Sequence, residues 1–347
     1  MSRQSGIDDS TLRAVLSHYD FYNGTIDGLT AIPQRLTNLN ARFRIGDKQW
    51  VIKRYTDSQT PEKLALSHQV QTLLAAQQFP VAHLEQTGNG KTLVALDHDF
   101  YSIHEWISGT HIDGVALQLG GKAPDEALVR EIAHALGRFH RLMREHFAET
   151  THGTSQSLIE KPFHQPASLA NRIREKRQAG LRRLWRKVKP NKSAFERWLD
   201  GMDPLLAQAD EIALMSSESF RSPRDLIVAH NDLNWENLIF DDAQHLKAII
   251  DFDNVVITHR MLEVGAACII FTGTHAQLRQ AFLETYQHSS GLDIDMYALQ
   301  TGMKIKCLRS LLWSAWSYQN NNIVDEAMLL EWCTYLSNCL EGLRERK

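Results

Sequence analysis

The spacing of apolar and polar residues differs from one segment of the chain to another, and it predicts where helices and strands lie. Residues 129–146 carry apolar side chains at helical spacing, which predicts an amphipathic helix. Residues 226–229 form a short apolar run that fits a strand. Residues 237–240 and 247–250 are apolar runs on either side of a polar turn, which predicts a β-hairpin.

Composition limits the classes of protein to which the chain can belong. Of its 347 residues, 43% are hydrophobic and 23% are charged, as in a soluble globular protein large enough for two lobes. The net charge of -3 gives no general attraction for nucleic acid. The N-terminal segment lacks an apolar signal core, and no stretch reaches the ~18 apolar residues of a membrane span. We therefore expect neither nucleic acid nor membrane as a partner.

The cysteines point to a reducing compartment. The four cysteines contain no C-x-x-C pair; they are Cys268, Cys307, Cys333 and Cys339. Reduced thiols are the usual state inside the cell, so we expect a cytoplasmic protein.

The most informative residues lie between positions 230 and 251. Asp232 follows the predicted strand, Asn237 begins the predicted hairpin, and Asp251 follows its end. In phosphoryl transfer, one carboxylate orients and deprotonates the attacking hydroxyl, while an amide oxygen and a second carboxylate hold Mg²⁺. Because a hairpin folds back on itself, its two ends lie side by side, and Asn237 and Asp251 can face one ion.

These motifs resemble those of the aminoglycoside phosphotransferase, choline kinase and homoserine kinase superfamily. Residues 230–237 read HNDLNWEN and residues 250–253 read IDFD, similar to that superfamily's H-G-D-x-x-x-x-N and I-D-F/W-D/G. The resemblance implies Asp232 as catalytic base, and Asn237 and Asp251 as magnesium ligands. Asn231 replaces the common Gly, at a position that carries backbone shape more than chemistry. The segment 254–265, with Arg260 and Glu263, is most similar to the homoserine kinase-like branch.

The resemblance implies an α+β, two-lobed, protein-kinase-like fold. Residues 1–107 would form a small lobe with an antiparallel sheet, and residues 108–347 a larger, mainly helical lobe with the catalytic loop and substrate site. The implied nucleotide-binding residues are Lys53 for the phosphates, Asn40, and the hinge residues His104, Glu105 and Ile107. The turn over the nucleotide, residues 35–40, has no glycine, so Thr37 or Asn38 would replace bare backbone amides there.

One departure leaves catalysis open. The superfamily places a Glu on the next helix to pair with the phosphate-binding Lys. Here Ser67 or His68 stands near that position, and Glu62 is the nearest carboxylate. Either Glu62 pairs with Lys53 from a shifted helix, or the pair is absent.

Other residues bear on the acceptor. Residues 172–192 hold ten Lys or Arg and one acid, Glu175, which argues against a polycationic acceptor and favours one with a carboxylate or phosphate. Trp313 and Trp316 share a helix face and are interpreted as packed core, with a choline-type acceptor left open. Asp253 could meet a substrate amine or a second metal. His134 and His140 are interpreted as helix-surface residues.

The sequence therefore predicts a kinase that uses ATP and Mg²⁺ to phosphorylate a hydroxyl of a small metabolite, such as an amino alcohol or hydroxy amino acid. We expect a monomer or homodimer. Two alternatives remain: a protein kinase of the bacterial stress-response type, and a non-catalytic nucleotide-binding protein, which the missing helix Glu would explain.

Overall fold

The computed structural model describes residues 6–32, 39–55, 60–120, 122–153, 164–184, 192–220, 225–320 and 325–343. The predicted nucleotide turn with Thr37 and Asn38 lies outside these residues. The chain divides into two compact units, the first comprising Met1–His111 and Asn237–Val255, the second Ile112–Glu236 and Val256–Lys347. No described helix combines the length and apolar character that crossing a membrane requires.

The elements are numbered in chain order. The helices are α1 (Asp9–Leu16), α2 (Pro61–Ala76), α3 (Gly114–Leu119), α4 (Glu126–Gly153), α5 (His164–Leu184), α6 (Ala194–Asp200), α7 (Asp203–Ser219), α8 (Arg260–Thr272), α9 (Ala276–Ser290), α10 (Met296–Gln319) and α11 (Glu326–Gly342). The strands are β1 (Leu29–Ala31), β2 (Leu39–Ile45), β3 (Lys48–Tyr55), β4 (Val94–Leu96), β5 (Asp99–Glu105), β6 (Leu226–Ala229), β7 (Leu238–Phe240), β8 (Leu246–Ile249) and β9 (Val256–His259).

The first unit is built on a five-stranded antiparallel sheet in the order β1-β2-β3-β5-β4. Along β2, Ala41 and Phe43 are buried while Arg42 and Arg44 are exposed, the alternation of a strand with one face in the core. Helix α1 packs its apolar stripe of Leu12, Val15 and Leu16 into this core. A small antiparallel sheet followed by a mainly helical region confirms the α+β class.

The hairpin β7–β8 forms where the apolar runs predict it, and it belongs to the first unit. Leu238 pairs with Ile249, and a register shift falls between Ile239 and Phe240. The Ile250 N–H donates to the Asn237 carbonyl at 2.9 Å, so the two hairpin ends are joined.

Helices make up most of the second unit, which also holds the two-stranded antiparallel ladder of β6 and β9. The helix predicted at residues 129–146 lies within α4. Helices α8 and α10 approach closely, because a Cβ built on Gly302 would lie 2.4 Å from the Met261 carbonyl oxygen, and one on Gly265 would lie 2.7 Å from the Met303 nitrogen. Only glycine permits contacts this close, so Gly265 and Gly302 fix α10 against α8.

Two expectations about side chains in this unit were wrong. Trp313 is 37% exposed and is therefore not a core residue. His140 is fully buried, because its face of α4 packs against Tyr286 of α9. His134 is exposed, as predicted. The four cysteines are buried and free.

Part of the basic run forms ordinary helix-surface ion pairs. In α5, Arg174 pairs with Asp210 and Arg177 with Asp203, both from α7. Residues 185–191 lie outside the described part of the chain, as do the side chains of residues 179–184. Two of these cations are therefore already matched by carboxylates of the protein.

Candidate active site

Lys53 is the centre of the site in the first unit. Its Nζ lies 2.8 Å from Asp251 Oδ1 and 2.5 Å from Asp253 Oδ2, and its side chain is 10% exposed. Burial alone lowers the pKa of an amine, but the two carboxylates outweigh burial and raise the pKa of Lys53. The lysine is therefore a fixed positive charge.

Asp253 is the more deeply buried of the two partners. Burial, with the neighbouring Asp251 charge, raises the pKa of Asp253 to about 6, although Lys53 opposes the shift. In this structure its Oδ2 contacts Lys53. This carboxylate was not recognised from the sequence as a partner of Lys53, and its position two residues after Asp251 was the available signal.

Helix α2 offers no carboxylate to Lys53 among the described residues. Ser67 donates to the Phe252 carbonyl at 2.8 Å, and His68 bonds Tyr55 and Thr92 through its two ring nitrogens. Glu62 is exposed, and its pKa is lowered by its own backbone N–H and by the Thr60 side chain. The described ion pairs of Lys53 are therefore with the residues after the hairpin, and Glu62 is not among them.

His68 is buried where the superfamily pattern has a Glu. Burial, with the nearby Lys53 charge, lowers the pKa of His68 to about 4. A neutral imidazole beside the lysine adds no charge to the site and holds the Tyr55 hydroxyl at 2.9 Å.

Asn40 lies directly opposite Lys53 in the β2–β3 ladder. Residues paired in this way project to the same face of the sheet. The Asn40 Oδ1 is buried and has no hydrogen-bond partner in the described part of the chain. An unsatisfied buried oxygen beside a fixed cation suits a polar ligand at this face.

The three predicted hinge residues lie at and beyond the end of β5. His104 bonds Ser102 at 2.8 Å, and burial, together with Lys53, lowers its pKa well below the usual value. The Glu105 N–H donates to the His83 carbonyl at 2.8 Å. Within the described residues, the backbone of Ile107 makes no hydrogen bond, so its N–H and C=O are open to a ligand.

Asn237 and Asp251 lie at the two joined ends of the hairpin. Asp251 adopts a left-handed backbone with φ of 63°, and its side chain is 41% exposed, whereas Asn237 is buried. An amide oxygen and a carboxylate are ligands that Mg²⁺ accepts, and an ion carrying water and phosphate oxygens needs only one or two of them. The described residues hold no cluster of three His, Cys, Asp or Glu that would suit a protein-enclosed metal. The donor set therefore fits a nucleotide-bound magnesium.

Asp232 belongs to the second unit, in the loop after β6. Asn231 takes a left-handed backbone with φ of 63°, which Asn tolerates better than most residues. Its N–H donates to Glu263 Oε1 at 2.6 Å, and Glu263 Oε2 bonds His140 at 2.7 Å. His140 in turn bonds the Tyr286 hydroxyl at 2.8 Å. This buried chain fixes the loop that carries Asp232.

A pocket in the second unit opens beside Asp232. Lys306 and Arg309 of α10 line it together with apolar side chains, which are Leu233, Leu262, Ala266 and Ile305. Sequence reasoning missed these two cations. Their spacing of three residues on one helix was a weak signal, since nothing local ties α10 to Asp232.

Solved structures of known proteins align with nearly the whole chain. No curated protein sequence matches. A spectinomycin phosphotransferase solved with ADP and spectinomycin has a TM-score of 0.66 at 14% identity, over 98% of this chain and 99% of that one. An ethanolamine kinase of Plasmodium vivax has 0.61 at 13%, over 100% and 94%. A choline kinase of Streptococcus pneumoniae has 0.52 at 15%, over 96% and 98%.

At sequence identities this low, structural similarity shows the fold alone. It confirms the α+β kinase-like fold predicted from the sequence. The family evidence is separate. The phosphotransferase enzyme family matches residues 28–298, which is more than half of the chain. This match confirms the prediction of a phosphotransferase, and the chain belongs to the phosphotransferase enzyme family.

Proposed function

We propose that this protein transfers the γ-phosphoryl group of ATP to a hydroxyl of a small metabolite, with Mg²⁺ as cofactor. One observation supports this above the others. The Lys53 ammonium lies 2.8 Å from Asp251, although the two residues are 198 positions apart in the chain. A phosphate-binding cation beside a metal-binding carboxylate is the arrangement that nucleotide-dependent phosphoryl transfer requires.

In the proposed reaction, the acceptor oxygen forms a bond to the γ-phosphorus. The bond between that phosphorus and the bridging oxygen breaks, and ADP leaves with the electron pair. Asp232 orients the acceptor hydroxyl and takes its proton. The hydrogen bond from Asn234 Nδ2 to Asp232 Oδ1, at 3.2 Å, helps to orient this carboxylate.

Lys53 holds the phosphates, and Asp253 positions Lys53. Helix α2 has Ser67 and His68 near the position of the Glu that the superfamily pattern places there. The ion pair with Asp253 supplies Lys53 with a carboxylate instead. This argues against the alternative of a non-catalytic nucleotide-binding protein, because the missing helix Glu was the reason to consider it.

Asn237 and Asp251 would hold Mg²⁺, which when bound neutralises charge on the phosphates. Asn40 lies on the Lys53 side of the sheet with an unsatisfied oxygen suited to a nucleotide hydroxyl. The open backbone groups of Ile107, with His104 and Glu105 before it, would meet the adenine edge.

The finer assignments are proposals. The IDFD motif and the segment with Arg260 and Glu263 favour the homoserine kinase-like branch, and with it an amino alcohol or hydroxy amino acid as acceptor. The lobe boundary after residue 107, a cytoplasmic location, and a monomer or homodimer remain predictions.

Incubation of the purified protein with γ-labelled ATP, Mg²⁺ and a metabolite-containing cell lysate tests the function. We expect label in small molecules and none when Mg²⁺ is chelated. Label in protein bands would favour the stress-response protein kinase instead. Nucleotide binding without transfer to any acceptor would contradict the proposal.

A further inference from the structure

The pocket beside Asp232 holds two cations, Lys306 and Arg309, to which the proposed chemistry gives no role. Gly302, Ile305, Lys306 and Arg309 all line it, at the i, i+3, i+4 and i+7 positions of one face of α10. Because the contact of Gly302 with Met261 fixes α10 against α8, this face is held rigidly toward Asp232. Both cations therefore have a defined place in the pocket wall.

Lys306 has no close partner among the described residues, and Asp232 acts on its charge from beyond 4 Å. Among the described residues, its Nζ has no hydrogen bond and no ion pair within 4 Å, although the side chain is partly buried. Burial and the neighbouring Arg309 lower the pKa of Lys306 to about 8, while Asp232 opposes the shift. A partly buried ammonium without a partner is costly, and an anionic ligand would remove that cost.

The two carboxylates that line the pocket make no close contact with Lys306. Glu263 lines the pocket, but its two oxygens are taken by the Asn231 N–H and by His140. Asp232 is the group that must face the acceptor hydroxyl under the proposed function. The Lys306 ammonium is therefore the group in this wall that an anionic part of a ligand could approach.

We propose that Lys306 and Arg309 bind an oxyanion, a carboxylate or phosphate, on the acceptor whose hydroxyl faces Asp232. This inference rests on the proposed function and adds the substrate class to it. The apolar wall formed by Leu233, Leu262 and Ile305 would contact the carbon chain between the two groups. The acceptor is thus a short hydroxy acid or hydroxyalkyl phosphate, in contrast to a polyamine or choline.

Pairs of acceptors that differ mainly in the charged group measure the effect of that group separately from the rest of the molecule. ADP release with ATP and Mg²⁺ is measured for glycerate, glycerol 3-phosphate and glycerol, for 4-hydroxybutyrate and 1,4-butanediol, for homoserine and homoserinol, and for ethanolamine and choline. We expect turnover to be fastest with a member that carries a carboxylate or phosphate. The carboxylate and phosphate compounds show which oxyanion is bound.

Three variants then assign the effect to residues. Lys306→Gln and Arg309→Gln should each lower kcat/KM for the anionic acceptor about 10- to 100-fold, the scale of one charge-assisted hydrogen bond, with KM for ATP unchanged. The partner compound that lacks the oxyanion should lose no more than about twofold. Lys304→Gln is the matched control, since Lys304 lies on the same helix but does not line the pocket. It should behave like the wild type.

The outcomes distinguish this inference from the function on which it rests. Faster turnover of acceptors without a carboxylate or phosphate overturns the oxyanion assignment and leaves a kinase. An equal loss for both members of a pair in Lys306→Gln also overturns it, because the residue would then act through Asp232. ADP release from no member contradicts the proposed function, and the inference falls with it.

Discussion

Lys53 Nζ lies 2.5 Å from Asp253 Oδ2, and only 7% of the Asp253 side chain is exposed. The two residues come from the central strand of the sheet and from the segment that follows the hairpin. A buried carboxylate at this distance fixes the ammonium in one place, which the phosphates of a nucleotide require.

Asp253→Asn should weaken the use of ATP. The variant keeps the shape of the side chain but removes the charge that positions Lys53, so kcat/KM for ATP should fall about 10- to 100-fold. Steady-state kinetics at varied ATP concentration measures this. Asp99→Asn is the matched control, because Asp99 pairs at 2.9 Å with Arg54, the neighbour of Lys53 in the same strand. Equal losses in both variants would show that any buried pair on this strand matters equally.

Removal of the proposed metal ligand should abolish the magnesium dependence of nucleotide binding. Calorimetric titration of ATP into Asp251→Ala, with Mg²⁺ and with chelator, should give the same weak affinity in both, whereas the wild type binds more tightly with Mg²⁺. Asp242→Ala, at the exposed turn of the same hairpin, should retain the difference. A magnesium effect that survives in Asp251→Ala would exclude Asp251 as the ligand.

His68 should make the stability of the protein depend on acid pH. Its pKa is lowered to about 4 in the fold by burial and by Lys53, against about 6.5 in an unfolded chain. The unfolded chain therefore binds the proton first, and stability is complete above pH 6.5 and is lost as the pH falls toward 4. The loss by pH 4 is about 3 kcal/mol.

Urea unfolding of His68→Gln from pH 7 to 4 measures this contribution. Because Gln does not titrate, the stability of the variant should fall less steeply with decreasing pH than that of the wild type. The exposed His18 provides the control, and His18→Gln should keep the wild-type slope. Parallel curves for wild type and His68→Gln would contradict the assignment.

The crossing of α8 and α10 should tolerate no side chain at its centre. Gly302→Ala places a Cβ against the Met261 carbonyl, which real structures essentially never show. Overpacking of this kind costs about 1–3 kcal/mol and should lower the unfolding free energy by that amount. Gly342→Ala, where a Cβ meets nothing within 4 Å, should be close to neutral. An unchanged stability of Gly302→Ala would show that the helices can separate freely.

Local patterns were enough to predict the elements around the site. The apolar runs and the polar turn identified the hairpin, and the periodicity of residues 129–146 identified α4. The order of Asp232, Asn237 and Asp251 along the chain gave candidate roles, which stay predictions until they are tested.

Contacts between distant segments could not be predicted in the same way. Nothing in the sequence near Lys53 indicates that a carboxylate 200 positions later is its partner. Helical periodicity assigns His140 to a face but cannot tell that Tyr286 and Glu263 cover it. Lys306 and Arg309 reach the Asp232 pocket because two glycines let α8 and α10 approach, a tertiary effect that no local pattern contains.

The central claim is that Asp232 is the base of a phosphoryl transfer and that other residues bind the nucleotide. The most direct measurement compares kcat for the identified acceptor, and ATP affinity, between wild type and Asp232→Asn. We predict a fall in kcat of roughly 10²–10⁴-fold with ATP affinity nearly unchanged. Equal turnover by the variant and the wild type would contradict the account.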